Sequence, residues 1–168
     1  MGKLLLRTEP MELSAVEVKK VIKVHGFYDK IKNPQGKGSG HQYKLQQLKG
    51  EKVVVDEISN LMWQQSGSSG YVEYDSASKW IEKFNREGCA GYNDWRIPTL
   101  EEAMSLIEQE KKSNSLYINP IFDKNQDWIW TSDILTDKAQ AWVVNFYLGG
   151  CYHIDFFENK YVRAVRSL

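Results

Sequence analysis

The sequence predicts an α+β domain, and three observations carry that prediction. Two stretches with helix-start signals, residues 75–86 and 99–107, lie in the middle of the 168-residue chain. Short β-branched runs precede them, and from Asp127 onward one strand pattern follows another. A chain near this length is one domain's worth and buries about 68–70% of its unfolded surface, enough for a core without disulfides or metals.

Each element has its own signal. Ser14 caps a helix over 15–24, with Val18, Val21 and Ile22 on one face, Lys19, Lys20 and Lys23 on the other, and Gly26 as its stop. Asn33-Pro-Gln-Gly-Lys-Gly-Ser-Gly40 reads as a loop. It lacks Walker spacing and a strand directly before it, so it is not a phosphate cradle. Val53-Val-Val55 and Asn60-Leu-Met-Trp63 read as strands around a turn at 56–59. Asp75 caps a helix over 76–86 with Trp80, Ile81 and Phe84 at core spacing, and Gly88 ends it. Thr99 and Glu102 form a capping box behind Pro98, and Met104, Leu106 and Ile107 supply that helix's buried side. After a polar loop at 111–115, strands are expected over 127–131, 141–146, 152–157 and 161–166, with Gly149-Gly150 as a hairpin turn.

Composition narrows the function classes. Twenty-two basic residues balance 22 acidic ones and the pI is near 6.8, which argues against a nucleic-acid binder held by phosphate neutralisation. Residues 1–52 nevertheless carry 11 basic and 5 acidic side chains, so the rest of the chain is acidic. That basic part reads either as a solvated helix face or as a docking surface for something acidic, and the two halves also suit mutual attraction, within one chain or between copies. An oligomer is therefore left open. The longest apolar run near the start, Leu4–Leu6, is too short for a signal-peptide core or a membrane span, so the expectation is a cytoplasmic or phage-associated protein without membrane insertion. Cys89 and Cys151 alone give no disulfide framework and no Cys-x-x-Cys for zinc, and no metal or cofactor is expected.

Further motifs identify a relationship. Asn60-Leu-Met-Trp-Gln64, Ala90-Gly-Tyr-Asn-Asp-Trp-Arg-Ile-Pro-Thr99, Ile118-Asn-Pro-Ile-Phe122, Trp130-Thr-Ser132, Ala141-Trp-Val-Val-Asn-Phe146 and Tyr161-Val-Arg-Ala-Val-Arg166 occur in that order. Together they resemble the family represented by the C-terminal domain of bacterial collagen-like adhesins, a family of unknown biochemical activity. The resemblance covers about 53–168 and implies a C-type lectin-like fold, with two helices flanking a twisted antiparallel sheet. Residues 51–168 are thus expected to form that domain, and residues 1–50 an extension made of a helix and a Gly-rich loop. The extension's helix either packs back on the domain or mediates oligomers. Some members of the resembling family carry a Cys where this chain has Ala164; the departure suits a reducing compartment and leaves Cys89 as a packed thiol. The Glu-Pro-Asn and Gln-Pro-Asp triplets of sugar-binding C-type lectins are absent.

Candidate chemistry reduces mostly to structure. Trp63, Trp142 and the Asp94-Trp95-Arg96 string read as structural, with Trp95 anchoring a loop and its charged neighbours satisfying the backbone around it. Cys151 and His153 project from one strand face, but no third group orients them for nucleophilic catalysis. No catalytic residue is assigned, and the protein is expected not to be an enzyme.

Residues 147–157 do not read as an ordinary half-buried strand. In Tyr147-Leu-Gly-Gly-Cys-Tyr-His-Ile-Asp-Phe-Phe157, aromatic, thiol, imidazole and carboxylate side chains follow no clear period. Either both faces are buried, or one face displays Tyr, His and Phe as an interaction surface. All eleven residues belong to the set encoded by pyrimidine-ended codons, which excludes Lys, Glu, Gln, Met and Trp; 119 of the 168 residues are in that set, so the run is weak by itself. In place and composition the segment resembles the variable region of diversity-generating-retroelement proteins. That resemblance implies a diversified region at about 142–157 whose side chains bind a macromolecular ligand, most naturally a protein, on a rigid scaffold. The ligand-binding set is then Tyr147, Leu148, Gly150, Cys151, Tyr152, His153, Ile154, Asp155, Phe156 and Phe157, with Trp142 and Asn145 at its border. An ordinary, fixed lectin-like adhesion or interaction domain is the alternative. A variable binder predicts that Tyr147, Tyr152, His153, Asp155 and Phe156 are mostly exposed, an ordinary strand that half are buried, and an enzyme a deep pocket with a perturbed acid or base.

Overall fold

The computed structural model describes residues 2–168. Its elements run β1 (Glu12–Leu13), α1 (Ala15–His25), β2 (Tyr43–Leu48), β3 (Glu51–Asp56), β4 (Leu61–Gln64), β5 (Val72–Glu73), α2 (Tyr74–Arg86), α3 (Leu100–Ser105), β6 (Trp128–Leu135), β7 (Gln140–Asn145), β8 (Gly150–Asp155), β9 (Asn159–Lys160) and β10 (Val165–Ser167), with a short 3-10 turn at Cys89–Gly91. The architecture is α+β. One sheet has the order β1-β6-β7-β8, a second β10-β4-β3-β2, and β5 and β9 form a two-stranded ribbon. Among the strands of the described residues, only β1 joins its neighbour in parallel.

The β6–β7 pair is buried on both faces. Ile129, Trp142 and Val144 point into a core built with Val18 and Ile22 of α1 and Leu100 and Met104 of α3. Their alternates Trp130, Ala141 and Val143 point into a second core with Ala77, Ile81 and Phe84 of α2 and with Trp95. Each tryptophan anchors an additional segment. Trp142 Nε1 donates to the Leu13 carbonyl at 3.0 Å, and Trp130 Nε1 to that of Val72 at 2.7 Å. Trp63 is fully buried in the first core.

Local signals placed α1 and α3 well. Ser14 with Glu17 and Thr99 with Glu102 both close capping boxes, and Gly26 ends α1 in the left-handed region at φ 67°. The start of α2 is different. Its N-cap is Glu73, without a side-chain bond, so the helix begins at Tyr74 rather than at an Asp75 cap. The Tyr74 N–H donates instead to the Phe156 carbonyl at 3.1 Å, so a tertiary contact sets this end while Asp75 sits in the first turn, favourably for the helix dipole. The strand expected over 161–166 is split. Tyr161 bridges Ile129, and Arg163 turns fully inward before β10 begins.

Arg163 has no carboxylate partner among the described residues. Its guanidinium donates to the carbonyls of Ser66 (2.7 Å) and Asp123 (2.8 Å) and lies 5.1 Å from the Phe122 ring centroid. Burial pulls it down to about 9, still protonated at neutral pH.

The division expected at residue 50 falls inside a hairpin. β2 pairs with β3 over six residues, and the two-residue turn Lys49-Gly50 has positive φ at both positions (48° and 86°). β2 is exposed along most of its length, so it shows no alternating pattern to read. The first 50 residues are therefore more than a helix and a loop, since β1 and β2 each add a strand to a sheet.

Buried charge fastens the N-terminal strap. Arg7 makes two bonds to the fully buried Asp133 at 2.9 and 2.6 Å and a longer contact to Glu101 at 3.4 Å. Asp133 also accepts from the N–H groups of Met11 and Leu100. Asp94-Trp95-Arg96 is structural, but its charges pair with side chains rather than with backbone. Arg96 grips Glu102 at 2.7 and 2.6 Å, Asp94 takes Arg166 at 2.7 Å, and Asn85 bonds both the Trp95 N–H and its carbonyl.

Two predictions follow from these buried carboxylates. Arg7→Ala should lower stability by about 3 kcal/mol, read from denaturant midpoints, because Asp133 would keep its charge in a dry site. An unchanged midpoint would show that the strap is dispensable. Asp56 gives a pH signature. Burial pushes its carboxyl up, but hydrogen bonds from His41, Ser59 and the Gln42 N–H outweigh this and hold it at about 2. A depressed carboxyl stabilises the fold above its unfolded value near 4, and that contribution is lost as pH falls toward 2. Asp56→Asn should thus be less stable than the parent at pH 7, with the gap narrowing between about pH 4 and pH 2.

Candidate functional site

The candidate surface is built on β8, the edge strand of its sheet. Its register on β7 sets Tyr152 opposite Val143, Ile154 opposite Ala141, Cys151 opposite Val144 and His153 opposite Trp142. Tyr152 and Ile154 therefore lean on the α2 side, while Cys151, His153 and Asp155 face the α1 side.

Residues 27–33 cap the free edge at one end of β8. The Cys151 N–H donates to Asp29 Oδ2 at 3.0 Å, the Lys32 ammonium donates to the Cys151 carbonyl, and the Lys30 N–H donates to the Gly149 carbonyl at 2.8 Å. Asp29 is itself buried and also accepts the N–H groups of Ile31 and Lys32. The segment occupies this end of the strand much as a neighbouring strand would.

The structure divides the expected binding set. Tyr147 (54% exposed), Leu148 (40%), His153 and Phe157 (69%) present their side chains to solvent. Tyr152, Ile154, Asp155 and Phe156 are half-buried. Tyr152 stacks on Trp128 at 5.8 Å with the Lys32 ammonium 5.0 Å from its ring, and Phe156 stacks on Tyr74 at 4.6 Å. His153 donates from Nδ1 to the Gln140 side-chain oxygen, and the Gln140 amide donates to Asp155, both at 2.8 Å. Of the five side chains that discriminate the readings, none is buried, two are exposed and three are half-buried.

Two members of the set do not reach solvent. Cys151 is fully buried, and burial pushes its thiol up to about 12, so it presents no thiolate. Gly150 is buried against Asp29, where an added Cβ would lie 2.8 Å from the carboxylate oxygen. Its neighbour Gly149 has φ +74°, and a Cβ there would meet the Tyr117 ring at 2.9 Å. Trp142 and Asn145, expected at the border, are also buried. Asn145 instead holds the turn, its side-chain oxygen accepting the N–H groups of Tyr147 and Leu148 at 2.8 Å each. The physical reason is common to all four: the two sheet faces and the edge cap leave these positions no route to the surface.

The exposed residues do not form one patch. Tyr147 and Leu148 precede β8 and Phe157 follows it, so they mark opposite ends of a six-residue strand, about 20 Å apart. The site is a strip with His153 between two apolar ends. Sequence reasoning missed the residues that set its shape: Asp29 and Lys32 from the N-terminal part, Gln140, Trp128 and Tyr74. Only Trp128 carried a signal, as one of the alternating aromatics of β6. No group of three or more His, Cys, Asp or Glu side chains among the described residues could hold a metal ion, and no helix there is long and apolar enough to cross a membrane.

Comparison with known proteins bears on the part of the chain that carries this strip. No curated protein matches the sequence. Residues 52–166, which include most of β3, all of β4 to β9 and most of β10, match the Lcl C-terminal domain. The match spans more than half of the chain, and the protein belongs to this adhesin-associated family.

Proposed function

We propose that this protein is a binding module with a C-type lectin-like scaffold that recognises a macromolecular ligand, a protein, through the strip along β8. The observation that carries this reading is the outward display of Tyr147, Leu148, His153 and Phe157 along and beside a strand that pairs with β7 and is capped at one end of its free edge. Large aromatic side chains on a fixed frame supply contact area at low entropic cost. Binding is favoured over catalysis because the one nucleophile in the segment, Cys151, is buried with a raised thiol, and His153 is tied to an amide rather than to a second acid or base.

The finer reading is that the strip is diversified by a retroelement. The positions free to vary are then 147, 148 and 152–157, fewer than the whole segment. Gly149, Gly150 and Cys151 belong to the frame, because side chains larger than theirs would collide with Tyr117, Asp29 or the core. A fixed adhesion domain uses the same strip with one set of side chains.

These readings separate in a gene survey. Sequencing the 3′ end of the gene and its flank in sibling isolates should give a near-identical downstream repeat, with variation confined to those eight codons. An invariant segment without a repeat would overturn diversification and leave the fixed adhesion reading. The strip itself is tested by stability beside binding. Phe157→Ala and Tyr147→Ala should change stability by no more than about 0.5 kcal/mol while abolishing capture of the ligand. Tyr152→Ala and Phe156→Ala should each cost about 1–3 kcal/mol, because both rings stack on the second core. Retained capture by Phe157→Ala and Tyr147→Ala would remove the strip from the binding surface.

A further inference from the structure

At the Tyr147 end the strip opens into a groove of about 390 Å³ whose walls include Tyr71, Tyr147, Tyr161, Lys124, Asn125 and Asp127. Tyr71 is 63% exposed, and its ring lies 4.6 Å from that of Tyr161 at a tilt of 38°. Tyr147 and Tyr161 flank β8 in sequence, but Tyr71 comes from a segment far from it, so the groove exists only in the folded chain.

Asp127 is the unusual member. Its carbonyl accepts the Phe146 N–H at 2.7 Å, which fixes its main chain beside β7. The residue is half-buried, and among the described residues its carboxylate has no hydrogen-bond donor and no cation at ion-pair distance. The five acidic residues buried among the described residues, Asp29, Asp56, Glu101, Glu102 and Asp133, are all paired. A carboxylate without a partner, set in a groove beside phenol rings, is open to a cationic guest. Asp127 shares the groove wall with the Tyr71–Tyr161 pair; burial, then Tyr71, then Asp127 push the Tyr161 phenol up.

Aromatic faces in this region already accept cations. The Lys111 ammonium is 4.4 Å from the Tyr147 ring centroid, Lys160 is 5.0 Å from Trp128, and Lys32 is 5.0 Å from Tyr152. A metal ion is not the guest, since one carboxylate and phenols do not make a ligand set. A neutral hydroxylated ligand would leave the Asp127 charge uncompensated. A guanidinium satisfies both features at once, because its plane stacks on a phenol ring while its edge donates two parallel bonds to a carboxylate.

We propose that this groove receives an arginine side chain presented by the protein ligand. The proposal rests on the reading of the β8 strip as a protein-binding surface and supplies the chemistry of the partner at one end of it. Lys124 at the rim is exposed and has no ion-pair partner among the described residues; its charge opposes the guest and gives the proposal a second sign to test.

The experiment titrates N-acetyl-arginine methylamide into the full chain, isotopically labelled, and follows amide shifts by NMR. Shifts centred on Tyr71, Asp127, Tyr147 and Tyr161 are expected, with a dissociation constant on the order of millimolar. Asp127→Asn should weaken the probe about fivefold, and the neutral citrulline analogue should bind the parent about fivefold more weakly. Lys124→Gln should tighten it about twofold, since a like charge is removed. No localised shift up to about 50 mM, equal binding of citrulline, or weaker binding in Lys124→Gln would overturn the proposal. The strip reading fails separately, by ligand capture that survives Phe157→Ala and Tyr147→Ala, because the probe titration needs no partner.

Discussion

Burial of β6 and β7 on both faces is the constraint from which most of this structure follows. A strand pair with so little solvent face must satisfy most of its polar groups internally; the Ser132 hydroxyl and the Asn145 amide nitrogen are left without a partner, but the other polar groups of these strands do specific tasks. Thr131 donates to the Trp142 carbonyl, Asp133 gathers Arg7 with the N–H groups of Met11 and Leu100, and Asn145 closes the turn into β8. The tryptophans of the same strands use their single donor to bring in β1 and the segment before α2. Hydrophobic burial supplies most of the driving force, while these polar groups decide which segments meet.

The N-terminal part completes the domain that the family match outlines. β2 extends the second sheet, β1 extends the first, α1 covers one core, and residues 27–33 cap β8. The basic excess of residues 1–52 is used in part within the chain: Arg7 meets Asp133 and Glu101, Lys32 meets Asp29 and the β8 edge, and Lys44 meets Glu57. The lysines on the outer face of α1 remain in solvent. The solvated-face reading thus describes the α1 lysines, while attraction inside the chain fastens the N-terminal segment and the edge cap.

The candidate site combines rigid backbone with exposed side chains. The edge cap holds β8 through positions that cannot reach a ligand, Gly149, Gly150 and Cys151, and β7 pairs along its other edge. The outward positions bear little of the folding energy, which leaves them free to serve recognition. Tyr152 and Phe156 stand between the two roles, because each packs one ring face against the second core and keeps part of its surface open.

The sequence by itself determined the fold class, two of the three helix starts and the core faces of the helices, since capping boxes and 3.6-residue spacing are local properties. It also located the segment that departs from strand periodicity, and with it the strip. What it left undetermined depends on contacts between distant residues. Nothing near Asp75 says that the Phe156 carbonyl starts α2, and nothing in Tyr43–Leu48 says that an exposed strand pairs with β3. The inward direction of Cys151 and the obligatory glycine at 150 come from Asp29, 121 residues earlier in the chain than Gly150, across a contact that only the tertiary structure creates. The groove at Asp127 has the same origin, because Tyr71, Tyr147 and Tyr161 share a wall only after the sheets have packed.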